Sequence, residues 1–112
     1  MIHMLSRFGL RPGASLGDVQ DCYQQLFDHM RAADLVAATG EVGSRIADTP
    51  MDTDALDAPT HYVIMSFTNR SQLDASYVHV EDGLLPDGPR AAHNRLKTLI
   101  TDPVFTCWED AT

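Results

Sequence analysis

The segment His61 to Phe67, HYVIMSF, limits the fold more than any other stretch of the chain. Val63, Met65 and Phe67 share one parity and Tyr62 and Ile64 the other, so the strand it predicts is apolar on both faces. A strand of that kind sits in the middle of a sheet with a cover on each side.

The flanking segments supply the rest of the sheet and one of its covers. Alternation over residues 2 to 8, IHMLSRF, predicts a strand in which Ile2, Met4 and Phe8 share a face with Ser6, while His3, Leu5 and Arg7 share the other. Ser15, with Asp18 three positions on, reads as a helix start. Leu16, Val19, Tyr23, Leu26, Phe27, Met30 and Ala33 then recur at helical spacing. EVGSRIA, after Gly40, predicts a second strand, with Gly43 marking a bulge or a close backbone approach. Asn69 or Ser71 caps a helix carrying Leu73, Tyr77 and Val80 on one face and ending at Gly83. LLPDGP predicts a turn, after which Ala92, His93, Leu96, Leu99 and Ile100 form a second helical stripe. Pro103 is expected to stop that helix, and VFTCWE to form the last strand.

Strand, helix, strand, strand, helix, strand is the split pattern of an α+β, ferredoxin-like βαββαβ fold: a four-stranded antiparallel sheet with helices on one face. A length of 112 residues fits one such domain over 1–112. The helices leave the other apolar sheet face bare. A second copy packed sheet to sheet is the economical cover, and a closed two-fold homodimer is the expected state.

Charge and termini narrow the partners. Sixteen acidic against eight basic residues, a net charge of -8, oppose a phosphate backbone, so no nucleic acid is expected. MIHMLSRFGL has neither a basic start nor a continuous apolar run, so neither a signal peptide nor a membrane association is read from it. Cys22 and Cys107 lack paired spacing and read as reduced core thiols of a cytoplasmic protein. Asp48 to Asp57 is an acidic, proline-bearing segment that reads as a solvated connection, with a lid over a ligand as the alternative. In the expected topology His3 and His61 lie toward opposite ends of neighbouring strands and cannot share a metal. No other cluster has ligand spacing, so neither metal nor cofactor is expected. His29 and His79 stand beside charged neighbours and read as solvated, and Trp108 as an interface or core aromatic.

Four segments, IHMLSRF, HYVIMSF, LDASY and AAHNRL…PVFTCWED, together resemble the dimeric α/β-barrel superfamily and, within it, the stress-responsive A/B barrel domain. The resemblance spans nearly the whole chain. It implies a pocket between sheet and helices for a small apolar, aromatic or polyketide-like ligand, because the family includes a plant polyketide cyclase in which a helix tyrosine and a nearby histidine act on a phenolic tetraketide. Carried onto this sequence, it implies His93 as general base or ligand, Tyr77 as oxyanion donor and His3 as a pocket-wall residue. Imidazole titrates near neutral pH and a phenol is a neutral O–H donor, so both residue types suit these roles. Two departures stand out. Leu73 and Tyr77 are four apart where the family has three, and VHVEDGLLPDGPRAA intervenes before the histidine, so His79 and His93 both compete for its place, with AAH favouring His93. Tyr77 can also be a core residue and His3 an edge histidine. The superfamily's haem-degrading monooxygenases give a second functional reading, with His93 as axial ligand. This chain, however, has His3 and Ser6 in the first strand where those enzymes share an asparagine. A dimer with a filled core and no catalytic activity is the third.

Overall fold

The computed structural model describes residues 1–54 and 59–111. Five antiparallel strands form one sheet: β1 (Ile2–Leu10), β2 (Ala38–Thr39), β3 (Gly43–Ser44), β4 (His61–Phe67) and β5 (Ile100–Glu109). The order is β2-β4-β1-β5, with β3 also paired to β4. Helices α1 (Leu16–Ala32), α2 (Arg70–Glu81) and α3 (Asp87–Leu99) complete the chain. This is the expected ferredoxin-like α+β arrangement, with an open sheet that does not close into a barrel within one chain.

Local chemistry explains the helix ends. Ser15 Oγ accepts the Asp18 N–H at 3.0 Å, and Asn69 Oδ1 accepts that of Gln72 at 3.0 Å, each satisfying a donor that has no partner within its helix. Gly83, after α2, takes a φ of +69°, a conformation a side chain would strain.

Two strands depart from the sequence reading. Of the strand expected over EVGSRIA only Gly43 and Ser44 are in register, and a second short piece, Ala38–Thr39, pairs ahead of it, because an extra residue intervenes between the two. Ala38 and Thr39 pair with Ser66 and Met65, but Gly43 and Ser44 pair with Tyr62 and His61, so residues 40–42 oppose only 63–64. The close approach expected at Gly43 is present: a Cβ there would run into the Tyr62 ring. Pro103 does not stop a helix. Helix α3 has already ended at Leu99, and Ile100 begins β5. Arg7 pairs with Val104 and Gly9 with Thr101, so Phe8 faces both Asp102 and Pro103 across a bulge, where Asp102 has a φ of +47°. A bulge on an edge strand tolerates a proline because no ladder N–H is lost.

The register divides the sheet cleanly. Ile2, Met4, Ser6 and Phe8 of β1, with Val63, Met65 and Phe67 of β4, turn toward the helices and join one core with Val19, Leu26, Phe27 and Met30 of α1 and Leu96 of α3. His3, Leu5 and Arg7, beside Tyr62, Ile64, Val104 and Trp108, turn to the bare face. Trp108 is 66 % exposed there.

Candidate functional site

A cavity of about 610 Å³ lies between the sheet and the helices. Met4, Met65 and Phe67 form its floor, and Leu26, Met30 and Leu96 part of its helix side, so its wall is mostly apolar. It exists because small residues stand where large ones would fill the space. Ser6 occupies a helix-facing position of β1 and Ser76 a buried position of α2, each 3 % exposed. Both residues line the cavity.

Tyr77 and His93 both line this cavity. Tyr77, on α2, lies with its Oη 3.5 Å from Met4 Sδ and 3.5 Å from Cys107 Sγ. Desolvation, with the Cys107 contact next in size, pushes its pKa up to about 12, so the phenol stays an O–H donor. His93 comes from the middle of α3. Desolvation first, and then the charge of Lys97 one turn on, push its pKa below the usual imidazole value, which keeps the ring neutral and able to accept a proton. The two residues therefore hold opposite proton roles on one cavity.

The structure separates His3 from them. Its side chain is on the opposite sheet face, with Nδ1 2.7 Å from Ser66 Oγ and Nε2 2.9 Å from Asp110 Oδ1. The alternation of β1 decides this, since Met4 and Ser6 take the cavity side and their neighbours cannot. The imidazole holds the Asp110 carboxyl below the usual carboxylate range. His3 thus ties β1 to β4 and to the end of β5, and it is not a wall of the pocket.

Other expectations need adjustment. Cys22 is buried in α1, but Cys107 is exposed, because the cavity side of edge strand β5 has only partial cover. His29 and His79 are not separately solvated: their Nε2 atoms are 2.9 Å apart, joining α1 to α2. In the acidic segment Arg45 pairs with Asp54 and lies 3.8 Å from Asp52; residues 55–58 of that segment lie outside the described residues.

The sequence reading missed the polar groups that accompany Tyr77 and His93. Ser6 had a signal, a hydroxyl at an otherwise apolar parity, and Ser76 had one beside Leu73 and Tyr77 on the apolar stripe of α2. Arg11 and Lys97 also reach the cavity, and only the folded chain brings them together, with Arg11 Nη2 donating to the Lys97 carbonyl at 3.4 Å.

No protein-family profile and no curated protein sequence matches the chain. Solved structures do match in fold. The chain is similar to the protein At3g17210 from Arabidopsis thaliana, with a TM-score of 0.73 at 7 % identity over 100 % of this chain and 97 % of that one. It is similar to a dimeric ferredoxin-like protein of unknown function from Thermobifida fusca, with a TM-score of 0.60 at 15 % identity over 96 % and 88 %. A proposed antibiotic biosynthesis monooxygenase from Deinococcus radiodurans aligns with a TM-score of 0.50 at 17 % identity over 100 % and 94 %. Fold and neighbours define the class: a ferredoxin-like α+β domain with a pocket between sheet and helices.

Proposed function

We propose that this protein is a homodimeric small-molecule-binding protein of the dimeric α/β-barrel type, whose ligand occupies the cavity between sheet and helices, with Tyr77 and His93 as the groups that meet its polar atoms. The observation that carries this reading is the cavity itself. A void of about 610 Å³ forfeits packing that a larger residue at Ser6 or Ser76 would recover. Pockets of this size, apolar with a few convergent polar groups, are the usual form of a ligand site.

A phenolic or polyketide-like ligand suits the pair, because neutral His93 can take a phenol proton while Tyr77 donates to an adjacent oxygen. The bare sheet face, with Tyr62, Ile64, Val104 and Trp108 in the open, supports the homodimer.

Fluorescence of 2-naphthol, an uncharged phenolic probe, tests the site. Saturable binding to the natural protein and its loss in Ser6→Leu, with the melting temperature kept or raised, is the expected result. Equal binding by both proteins would place the probe elsewhere and remove the cavity as the site.

A further inference from the structure

We infer that the ligand of this cavity is an apolar molecule bearing a single anionic group, a carboxylate in the simplest case, held by Arg11 and Lys97 while its uncharged body lies toward Ser6 and Ser76. This rests on the cavity being a ligand site.

The inference starts from how the cations are distributed. The chain has eight basic residues against sixteen acidic ones, so nearly every cation has an acid to choose. Arg31, Arg45, Arg70, Arg90 and Arg95 each pair with an aspartate. Arg7, Arg11 and Lys97 have no acidic partner among the described residues; Arg7 lies on the bare sheet face, beside Tyr62 and Val104, whereas Arg11 and Lys97 both line the same apolar cavity. Of the donors on Arg11, one Nη2 reaches the Lys97 carbonyl at 3.4 Å, a long contact that leaves the guanidinium fork free for a carboxylate.

Glu81 and Asp102 also line the cavity and would favour a cation instead. Geometry decides between the two. His93 and Lys97 stand one turn apart on α3 and both line the cavity, and Arg11 is joined to the Lys97 carbonyl at 3.4 Å, so nitrogen donors gather at one place, while Glu81 and Asp102 come from α2 and β5. The two acids instead limit the ligand to one negative charge.

The dimensions suit an elongated molecule. Ser6 and Arg11 are five residues apart along β1 and its continuation, roughly 16 Å at ~3.3 Å per residue. An anion at the Arg11 end leaves the uncharged body among Met30, Met65 and Phe67, with Ser6 and Ser76 ready to bond a hydroxyl or carbonyl further in.

Three chains of equal length separate the outcomes: decanoate, 1-decanol and decylamine, titrated by calorimetry against the natural protein, Lys97→Met and Arg11→Met. Both side chains are exposed and methionine keeps an apolar stem, so the variants retain the core. Decanoate should bind about tenfold or more tightly than decanol, and each variant should lose that margin while leaving decanol unchanged. Decanoate, but not decanol, should also move the His93 NMR titration to higher pH, since a bound anion favours the imidazolium. Equal affinity for decanoate and decanol, or no effect of either variant, would overturn the anionic assignment and leave the ligand cavity standing. Tighter binding of decylamine would overturn it in favour of Glu81 and Asp102. Failure of all three chains to bind, together with failure of 2-naphthol, would remove the cavity reading as well.

Discussion

The two faces of the central sheet are built from the same strands and are left incomplete in opposite ways. The helix face is covered but hollow: Phe8, Val63 and Phe67 are fully buried, while a few ångströms along β1 the chain places Ser6 against empty space. The other face is filled with side chains but has no cover, so that Ile64 and Trp108 stand in the open. A sheet face short of volume calls for a small molecule, and one short of a lid calls for another protein surface. Alternation assigns each residue to one deficiency or the other, which is why His3 and Met4, adjacent in sequence, serve different ends.

The largest effect is expected where the helix face is packed. Phe8→Ala, which removes a ring lying against Tyr23 and His61, should cost about 3 to 5 kcal/mol in denaturant unfolding. Ser6→Leu, two residues away on the same face, should cost nothing or stabilise, since it fills a void. Comparable losses from both would mean the face is uniformly packed and the cavity collapses in solution.

The bare face is probed by Ile64→Asp, in the centre of the sheet. The natural protein should scatter light with a mass near twice 12.3 kDa, and the variant with a mass near 12.3 kDa. Its melting point should become independent of concentration, because dissociation and exposure of this face would be linked in a homodimer. A natural protein that is monomeric at micromolar concentration would show that this face tolerates water.

Much of this division was legible in the sequence, and the exceptions have physical causes. HYVIMSF announced a central strand because apolar residues at both parities have no other use, and Ser15 and Asn69 marked helix starts through local hydrogen bonds. The pieces around Gly43 were harder to read because a bulge resets their register against β4, and no local pattern encodes a partner strand's register. Pro103 was misread because proline ends helices and also occupies edge bulges, and only pairing distinguishes the two. At the site, Tyr77 and His93 could be found as chemistry-bearing residues on helical stripes. His3 was assigned to the pocket by resemblance, although its parity, opposite to that of Met4 and Ser6, already put it on the other face. Arg11 and Lys97 meet only through the packing of α3 against the end of β1, a long-range contact invisible to periodicity.

A pH experiment sharpens the distinction between hollow and packed. The pKa of His93 is lower in the folded chain than the ordinary imidazole value of 6.5, so below that value the unfolded chain binds more protons than the folded one. Folding stability should therefore fall as the pH is lowered through 6.5 and toward the depressed folded value, and His93→Leu should flatten that part of the profile. The variant should also lose 2-naphthol binding while keeping a melting point at pH 7 close to that of the natural protein, since an apolar group of similar size needs no partner. An unchanged pH profile in His93→Leu would mean that the ring is solvated and does not face the cavity.

The smallest effect is expected off both faces, in the acidic segment. Arg45 holds Asp54 and approaches Asp52, and the Arg45–Asp54 contact holds the Asp54 carboxyl below its usual range. Exposed pairs gain little, because solvent screens the charges and ordering two side chains costs entropy. Asp52→Ser with Asp54→Ser should therefore change stability by no more than ~0.5 kcal/mol and leave 2-naphthol and decanoate affinity where they were. A change in affinity without a change in stability would assign the segment to the cavity as a lid, a role that the contacts of Arg45 alone do not require.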